Sequence, residues 1–293
     1  LERTSDRVRV ASVIWAKTAF EVWWRSQAPA IEAGSNEAFA TPQGGYTLPA
    51  VPASVCTPDS WRPTKLDVPA ANANHTAVWT GTEMIVCRGY WFSGFGEYTP
   101  STDTWKNTET NSPYPSEYSS AVWTGTEMIV WGGDGINYGF RYNPTTLDAV
   151  DTSTGTNVPS PRGRHTAVWT GTEMVIWGGY ESGQFVNTGG RYNPTTDTWL
   201  TTTGTNAPAA RAEHTAVWSM ERSEMIVWGG LGVAGNLGTG MRYKPSTDTW
   251  TAMSSAPLAG GRDYHTAVWT GTEMIIWGGY DGSSSLGTGA RYN

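Results

Sequence analysis

Residues 165–179 read His165-Thr166-Ala167-Val168-Trp169-Thr170-Gly171-Thr172-Glu173-Met174-Val175-Ile176-Trp177-Gly178-Gly179. Two short apolar runs flank a Thr-Gly turn, and a glycine pair ends the second run. That is the pattern of a β-hairpin. The opening pentad returns as His75 to Trp79, His214 to Trp218 and His265 to Trp269, with the variant Ser119-Ser120-Ala121-Val122-Trp123 in the remaining slot. Successive copies start 44, 46, 49 and 51 residues apart. An Arg-Tyr-Asn-Pro segment and an Asp-Thr-Trp segment follow in most copies. Each repeat therefore predicts four strands. Strand a is His-Thr-Ala-Val-Trp, strand b is Glu-Met-Ile-Val-Trp, strand c is Arg-Tyr-Asn and strand d is Asp-Thr-Trp. Pro-Thr-Thr-Asp supplies the c–d turn, with Pro fixing φ and Asp bonding local backbone.

A single four-stranded sheet cannot bury both faces, whereas radial packing of several such sheets does. The tryptophans follow that logic. Thirteen of the 17 fall in register: Trp79, Trp123, Trp169, Trp218 and Trp269 on strand a; Trp131, Trp177, Trp228 and Trp277 on strand b; Trp61, Trp105, Trp199 and Trp250 on strand d. Register makes packing between sheets their expected role, ahead of sugar binding.

Glycine pairs closing strand b, Tyr in strand c and Trp in strand d, at a period near 50, resemble the kelch repeat. The resemblance covers residues 54–293. It implies an all-β propeller of four-stranded antiparallel blades, one domain over residues 1–293. Six blades are expected, at about 10–62, 75–106, 119–151, 165–200, 214–251 and 265–293. The first is degenerate, because Trp24-Arg25 replaces the glycine pair, and the last lacks a clear outer strand. The alternative is five blades, with Asp59-Ser60-Trp61 closing the last and residues 1–53 outside.

Composition narrows the function. A net charge of −7 argues against a nucleic-acid partner. No apolar run reaches the ~20 residues of a membrane helix, so no membrane insertion is expected. Cys56 and Cys87 make no metal motif. The chain opens on Leu1 without a signal peptide, as a processed or excised chain would. Low charge with many Gly, Thr, Ser and Asn points to an extracytoplasmic or secreted protein.

Antiparallel strands bring the b–c loops and the d–a linkers to one end. The linkers carry Arg162, Arg211 and Arg262 three residues before the strand-a His. By the kelch resemblance, arginines there ring the channel mouth and grip acidic ligands, as guanidinium forks suit carboxylates. Glu213, Asp263 and Tyr264 on the linkers, with Tyr180 and Tyr280 on the b–c loops, complete the candidate ligand-binding set. The other reading has each Arg pair with an acid such as Glu213 or Asp263 and hold its linker. Trp91, Phe92 and Phe95 lie outside the register and suggest an apolar contact patch. All four histidines share one strand-a position on different blades, which favours hydrogen bonds to a neighbouring strand over metal ligation. Strand-b glutamates and strand-c arginines are expected to pair within a blade. Glu97 replaces the arginine in one blade.

The chain shows no catalytic constellation and calls for no cofactor. The expected function is a non-enzymatic scaffold that recognises a protein, peptide or glycan at the channel mouth. One alternative, implied by the resemblance, is a sugar-acid enzyme akin to a sialic-acid mutarotase, with the arginines, Glu213, Asp263 and His214 as its site. Another is a structural module of a larger surface protein.

Overall fold

The structure is a computed structural model that describes residues 2–4, 7–9, 73–87, 94–108, 117–254 and 261–293. The chain divides into two units, Leu1–Trp61 and Arg62–Asn293. In the first, strands Glu2–Thr4 and Arg7–Arg9 pair antiparallel.

Among its described residues the second unit holds five antiparallel blade sheets with strands in the chain order a-b-c-d, and two two-stranded hairpins in the b–c loops of the third and fourth blades. The first comprises Thr76–Trp79, Met84–Cys87, Phe95–Thr99 and Thr104–Thr108. The second comprises Ser120–Trp123, Met128–Trp131, Gly139–Asn143 and Asp148–Asp151. The third runs Thr166–Trp169, Met174–Trp177, Gly189–Asn193 and Thr198–Thr201, and the fourth Thr215–Ser219, Glu224–Trp228, Gly240–Lys244 and Thr249–Ala252. The fifth has Thr266–Trp269, Met274–Trp277 and Gly289–Tyr292, with no fourth strand among the described residues. Strands a are innermost and neighbour one another from blade to blade. The fold is thus an all-β propeller of five described blades, the alternative count. Residues 10–62, which a sixth blade requires, lie outside the described residues.

Four apolar clusters fill the four joints between successive blades. At the joint of blades two and three, Val122, Ile129 and Trp131 meet Met174, Ile176, Tyr192 and Trp199. At the next, Val168, Val175 and Trp177 meet Met225, Val227, Tyr243 and Trp250. Two strand-b indoles tilt onto the strand-d indole of the following blade, with ring centroids 5.3 Å apart for Trp131–Trp199 and 5.1 Å for Trp177–Trp250. Burying ~150–250 Å² per ring at ~25 cal/mol/Å² gives about 4–6 kcal/mol of transfer free energy each, an upper bound.

The expectation of wedged indoles holds for strand b where a described blade follows and for strand d where one precedes; Trp105, on the first described blade, is only partly buried, and Trp61 lies outside the described residues. Trp131, Trp177, Trp228, Trp199 and Trp250 are all buried. Trp277, at the leading face of the fifth blade, is 60% exposed. The strand-a indoles depart from it: Trp123, Trp169, Trp218 and Trp269 are only partly buried, and Trp79 is 54% exposed.

The glycine pair has a specific reason. Gly132, Gly178 and Gly229 have φ of +72°, +69° and +71°. A Cβ on Gly178 would stand 2.7 Å from His214 Cε1 and 2.8 Å from the Arg211 carbonyl oxygen. The next blade's histidine occupies the space a side chain would need. Where that histidine is absent the glycine is too: Ser119 stands in the histidine's place before strand a of the second blade, and the sequence carries Arg88, outside the described residues, where the first blade's glycine would be.

The first blade makes a second exchange. Other blades pair a strand-b Trp with a strand-c Gly, as in Trp131↔Gly139 and Trp177↔Gly189. The first pairs Cys87 with Phe95. The bulk has moved to the partner strand, as core volume conservation favours. Phe95 is accordingly buried, stacked on Tyr142 at 3.8 Å. It belongs to the core, not to a surface patch; Trp91 and Phe92 lie outside the described residues. Cys87 is buried, which pushes its thiol pKa up, and Cys56 also lies outside the described residues.

The expected glutamate–arginine pairs form in blades two to five: Glu127–Arg141 3.7 Å, Glu173–Arg191 3.6 Å, Glu224–Arg242 2.9 Å and Glu273–Arg291 3.5 Å. In the first blade Glu97 instead accepts from Lys106 Nζ at 3.1 Å and from the Tyr142 hydroxyl of the second. The turn aspartates do a different job from the local one expected. Asp197 accepts the Tyr192 hydroxyl at 2.6 Å and the N–H of Ser153, in the linker before its blade, at 2.9 Å. Asn193 caps the turn, its Oδ1 accepting from the N–H groups of Thr195 and Thr196. Leu147 holds the aspartate's place in the second blade, still at φ +63°. That is why Tyr142 turns to Glu97.

Candidate functional site

The b–c loops and d–a linkers do share one end. Bridges Gly163↔Tyr180, Ala212↔Leu231 and Asp263↔Tyr280 tie each linker to the loop of the blade it enters. Beneath those bridges lie the three arginines.

Arg162, Arg211 and Arg262 are each 1% exposed. Arg211 donates from Nη1 to the carbonyls of Gly229 (2.9 Å) and Thr239 (2.7 Å), from Nε to that of Ala209 (3.0 Å) and from Nη2 to Thr239 Oγ1 (3.2 Å). Arg162 and Arg262 repeat the contact with the loop of their own blade, through Gly178 and Thr188 and through Gly278 and Thr288. Their backbone carbonyls face the other way. Gly133 N–H donates to Arg162, Gly179 to Arg211 and Gly230 to Arg262, each from the preceding blade. Each arginine is therefore a rivet between two blades. The partners are backbone carbonyls, not the acids Glu213 and Asp263 that the linker-holding reading named. Burial lowers the pKa of Arg162 and Arg211 to about 10, so both stay protonated at neutral pH. No guanidinium of the three faces solvent.

Three of the four histidines lock the same joints, while His75, on the first described blade, is exposed. His165 Nε2 lies 2.6 Å from Ser120 Oγ, His214 Nε2 2.8 Å from Thr166 Oγ1, and His265 Nε2 2.8 Å from Thr215 Oγ1. Each reaches the first strand-a residue of the preceding blade, as their structural reading expects. Burial first, and the neighbouring arginine second, lowers the pKa to about 3 for His165 and about 4 for His265, with His214 also well below 6.5. The unfolded chain binds these protons near 6.5 and the folded one does not. Stability conferred by neutral imidazoles is complete above ~6.5 and is lost as pH falls from there toward ~4 and ~3. The urea midpoint is expected to drop between pH 7 and pH 5. A midpoint constant over that interval refutes neutral burial.

The surface of the mouth belongs to the residue just before each strand-a His or Ser. That position holds Asn74, Tyr118, Arg164, Glu213 and Tyr264, with φ of +55°, +61°, +58°, +56° and +50°. Five consecutive non-glycine residues at one repeat position in the left-handed region cost about 1–2 kcal/mol each. The linker geometry repays this by turning each chain into strand a at the axis. Backbone bonds run around the mouth, from Arg164 N–H to the Tyr118 carbonyl and from Glu213 N–H to that of Arg164, both 3.2 Å. Side chains continue the arc. Arg164 Cζ lies 4.5 Å from the Tyr118 ring centroid, Arg164 Nη1 2.9 Å from Glu213 Oε1, and the Tyr264 hydroxyl donates to the same Oε1 at 2.6 Å.

That arc joins four blades. Burial opposes charge on Arg164, but Glu213 and the two tyrosines outweigh it and raise its pKa. The hydrogen bond to Glu213, with burial second, lifts Tyr264 to about 12. Tyr264 is 66% exposed and crowns the arc, while Tyr180 and Tyr280 stand farther out at 37% and 40%. Asp263 is buried beneath, its carboxyl pKa raised by burial and by Glu213. Of the expected site, the structure thus brings Glu213 and Tyr264 together, sets the two loop tyrosines around them, and buries the arginines. Arg164 and Tyr118 were missed. Their signal was available: this position holds four residue types in five repeats, directly before a residue that is His in four of them.

A family model described as KLHDC2/KLHL20/DRC7 Kelch-repeats domain matches residues 165–293, which span blades three to five. The glycine pairs seated under histidines, and the Tyr–Trp packing of strands c and d, fall within that match. Residues 165–293 are thus kelch repeats, and the five described blades form a β-propeller. No curated protein is matched by the chain. Kelch propellers commonly serve as protein-interaction scaffolds. Among the described residues no three His, Cys, Asp or Glu side chains converge as metal ligands. No helix among them is long and apolar enough to cross a membrane.

Proposed function

We propose that this kelch propeller is a binding module that takes a protein segment at the axial mouth, on the arc Tyr118–Arg164–Glu213–Tyr264. The observation that carries the reading is the combination of invariant backbone and varied side chains. Every linker turns into strand a through the same left-handed residue, yet that residue is Asn, Tyr, Arg, Glu or Tyr. Variation on a rigid scaffold is how loop faces encode specificity. Two of the five are tyrosines and one is arginine, side chains that dominate the energetics of protein interfaces. Arg164 and Glu213 are oriented by each other before any ligand arrives, which lowers the ordering cost of binding.

The test is selection of peptides from a displayed random library on the immobilised protein, followed by titration of the selected peptides. Tyr264→Ala removes an exposed ring and is expected to leave the melting temperature unchanged while weakening binding at least about tenfold, or ~1.4 kcal/mol. Arg164→Ala is expected to do the same. Peptides that bind both variants as tightly as the wild type would place recognition elsewhere.

A further inference from the structure

The opposite end of the propeller, formed by the a–b and c–d turns, holds a site of a different kind. Between the second and third blades lies a cavity of about 560 Å³ lined by Thr124, Thr126, Glu127, Arg141, Trp169 and Asn193, among others. That volume falls within the ~300–1,000 Å³ of small-molecule sites. Trp169 is one of the strand-a indoles that packing leaves partly exposed. Around it stand hydroxyls, an amide and a carboxylate. Asn193 spends its Oδ1 on the turn, so its Nδ2 is the donor left over. Glu127 lies 3.7 Å from Arg141, whose Nη1 also donates to the Pro194 carbonyl of the next blade at 2.7 Å. The wall therefore holds both charges of an ion pair and carries no net charge.

We propose that this groove binds a neutral pyranose unit of a glycan. A pyranose presents an apolar C–H face, which suits the indole, and rim hydroxyls that both donate and accept. Carboxylate, amide and threonine hydroxyls answer them. A cationic side chain, the other natural guest of an indole beside a carboxylate, is disfavoured because Arg141 already neutralises Glu127. The neighbouring groove is an internal contrast. Between blades one and two a cavity of about 460 Å³ has Trp123, Asn143 and Glu83 in the same places. There Glu97 stands where the arginine would be, and Glu83 accepts the Thr99 hydroxyl at 2.8 Å. Among the described residues no cation pairs with Glu83, so this groove suits a cationic guest instead.

The experiment follows the indole ¹H–¹⁵N signals of the whole protein during titration with methyl glucoside, methyl galactoside, methyl mannoside and N-acetylglucosamine, and separately with lysine amide. At least one sugar is expected to shift the Trp169 signal. Asn193→Asp keeps the turn-capping oxygen while removing the donor and adding charge, and is expected to weaken that sugar at least about tenfold. Lys244→Ala, at the matching position one joint further on, is expected to bind as the wild type does. Trp169→Phe serves where Trp169→Ala does not fold, read by the other indoles. If no sugar moves Trp169 at tens of millimolar, or lysine amide moves it more than any sugar, the proposal is overturned. Tyr264→Ala leaves sugar binding intact, so this proposal and the one for the axial mouth fail separately.

Discussion

Gly178→Ala is expected to cost about 2–5 kcal/mol of stability, and Gly278→Ala only about 1–2 kcal/mol. Both glycines sit in the left-handed region, at φ +69° and +72°, so the backbone strain added by a Cβ is the same. They differ in what that Cβ meets. At Gly178 it meets His214 Cε1 and the Arg211 carbonyl, both of the next joint; at Gly278 the nearest atom is the Leu286 carbonyl oxygen at 3.7 Å. The histidine ring has little room to retreat, because its Nε2 is held by Thr166 and its face by Trp177 at 5.4 Å. The difference between the two variants in urea denaturation isolates the cost of forcing a joint apart. Equal losses would show that the glycine pair answers to backbone conformation alone, and that the seating of histidine is incidental.

Arg211→Met is expected to destabilise by about 3–5 kcal/mol, the range for removing one partner of a buried charged network. Methionine fills most of the volume, so the loss is that of donors. The carbonyls of Gly229, Thr239 and Ala209 lose the partner that Arg211 supplies. Arg211→Lys is expected to recover little, since one ammonium cannot span carbonyls that a planar fork reaches together. Arg164→Met, at a side chain 34% exposed with one carboxylate partner, is expected to cost under about 1 kcal/mol. Calorimetry on the three variants checks the order. Should Arg211→Met melt with the wild type, the rivet assignment fails and a ligand-facing role for this position returns.

These two residues also show what the sequence could and could not disclose. Blade strands were legible because each is a short apolar run between turn residues, repeated in register. The pairing of Glu127 with Arg141, and the linking role of His165, His214 and His265, followed from position alone. Arg162, Arg211 and Arg262 look like ligand clamps because each recurs near a surface loop. Nothing local records that backbone carbonyls converge on them. The proposed arc was harder to read for the converse reason. Asn74, Tyr118, Arg164, Glu213 and Tyr264 share no single chemistry, and their common backbone conformation is what marks them as one position. The strand-a indoles looked equivalent to the others by register, but Trp169 opens onto a turn face while Trp177 is sealed by the following blade.

With Ser119 in place of histidine and Leu147 in place of a clasping aspartate, the joint between the first two blades has, among the described residues, none of the histidine-to-hydroxyl contacts that fasten the next three. There Glu97 reaches the Tyr142 hydroxyl from one blade to the other. Of the four described joints it is the one expected to part first under load.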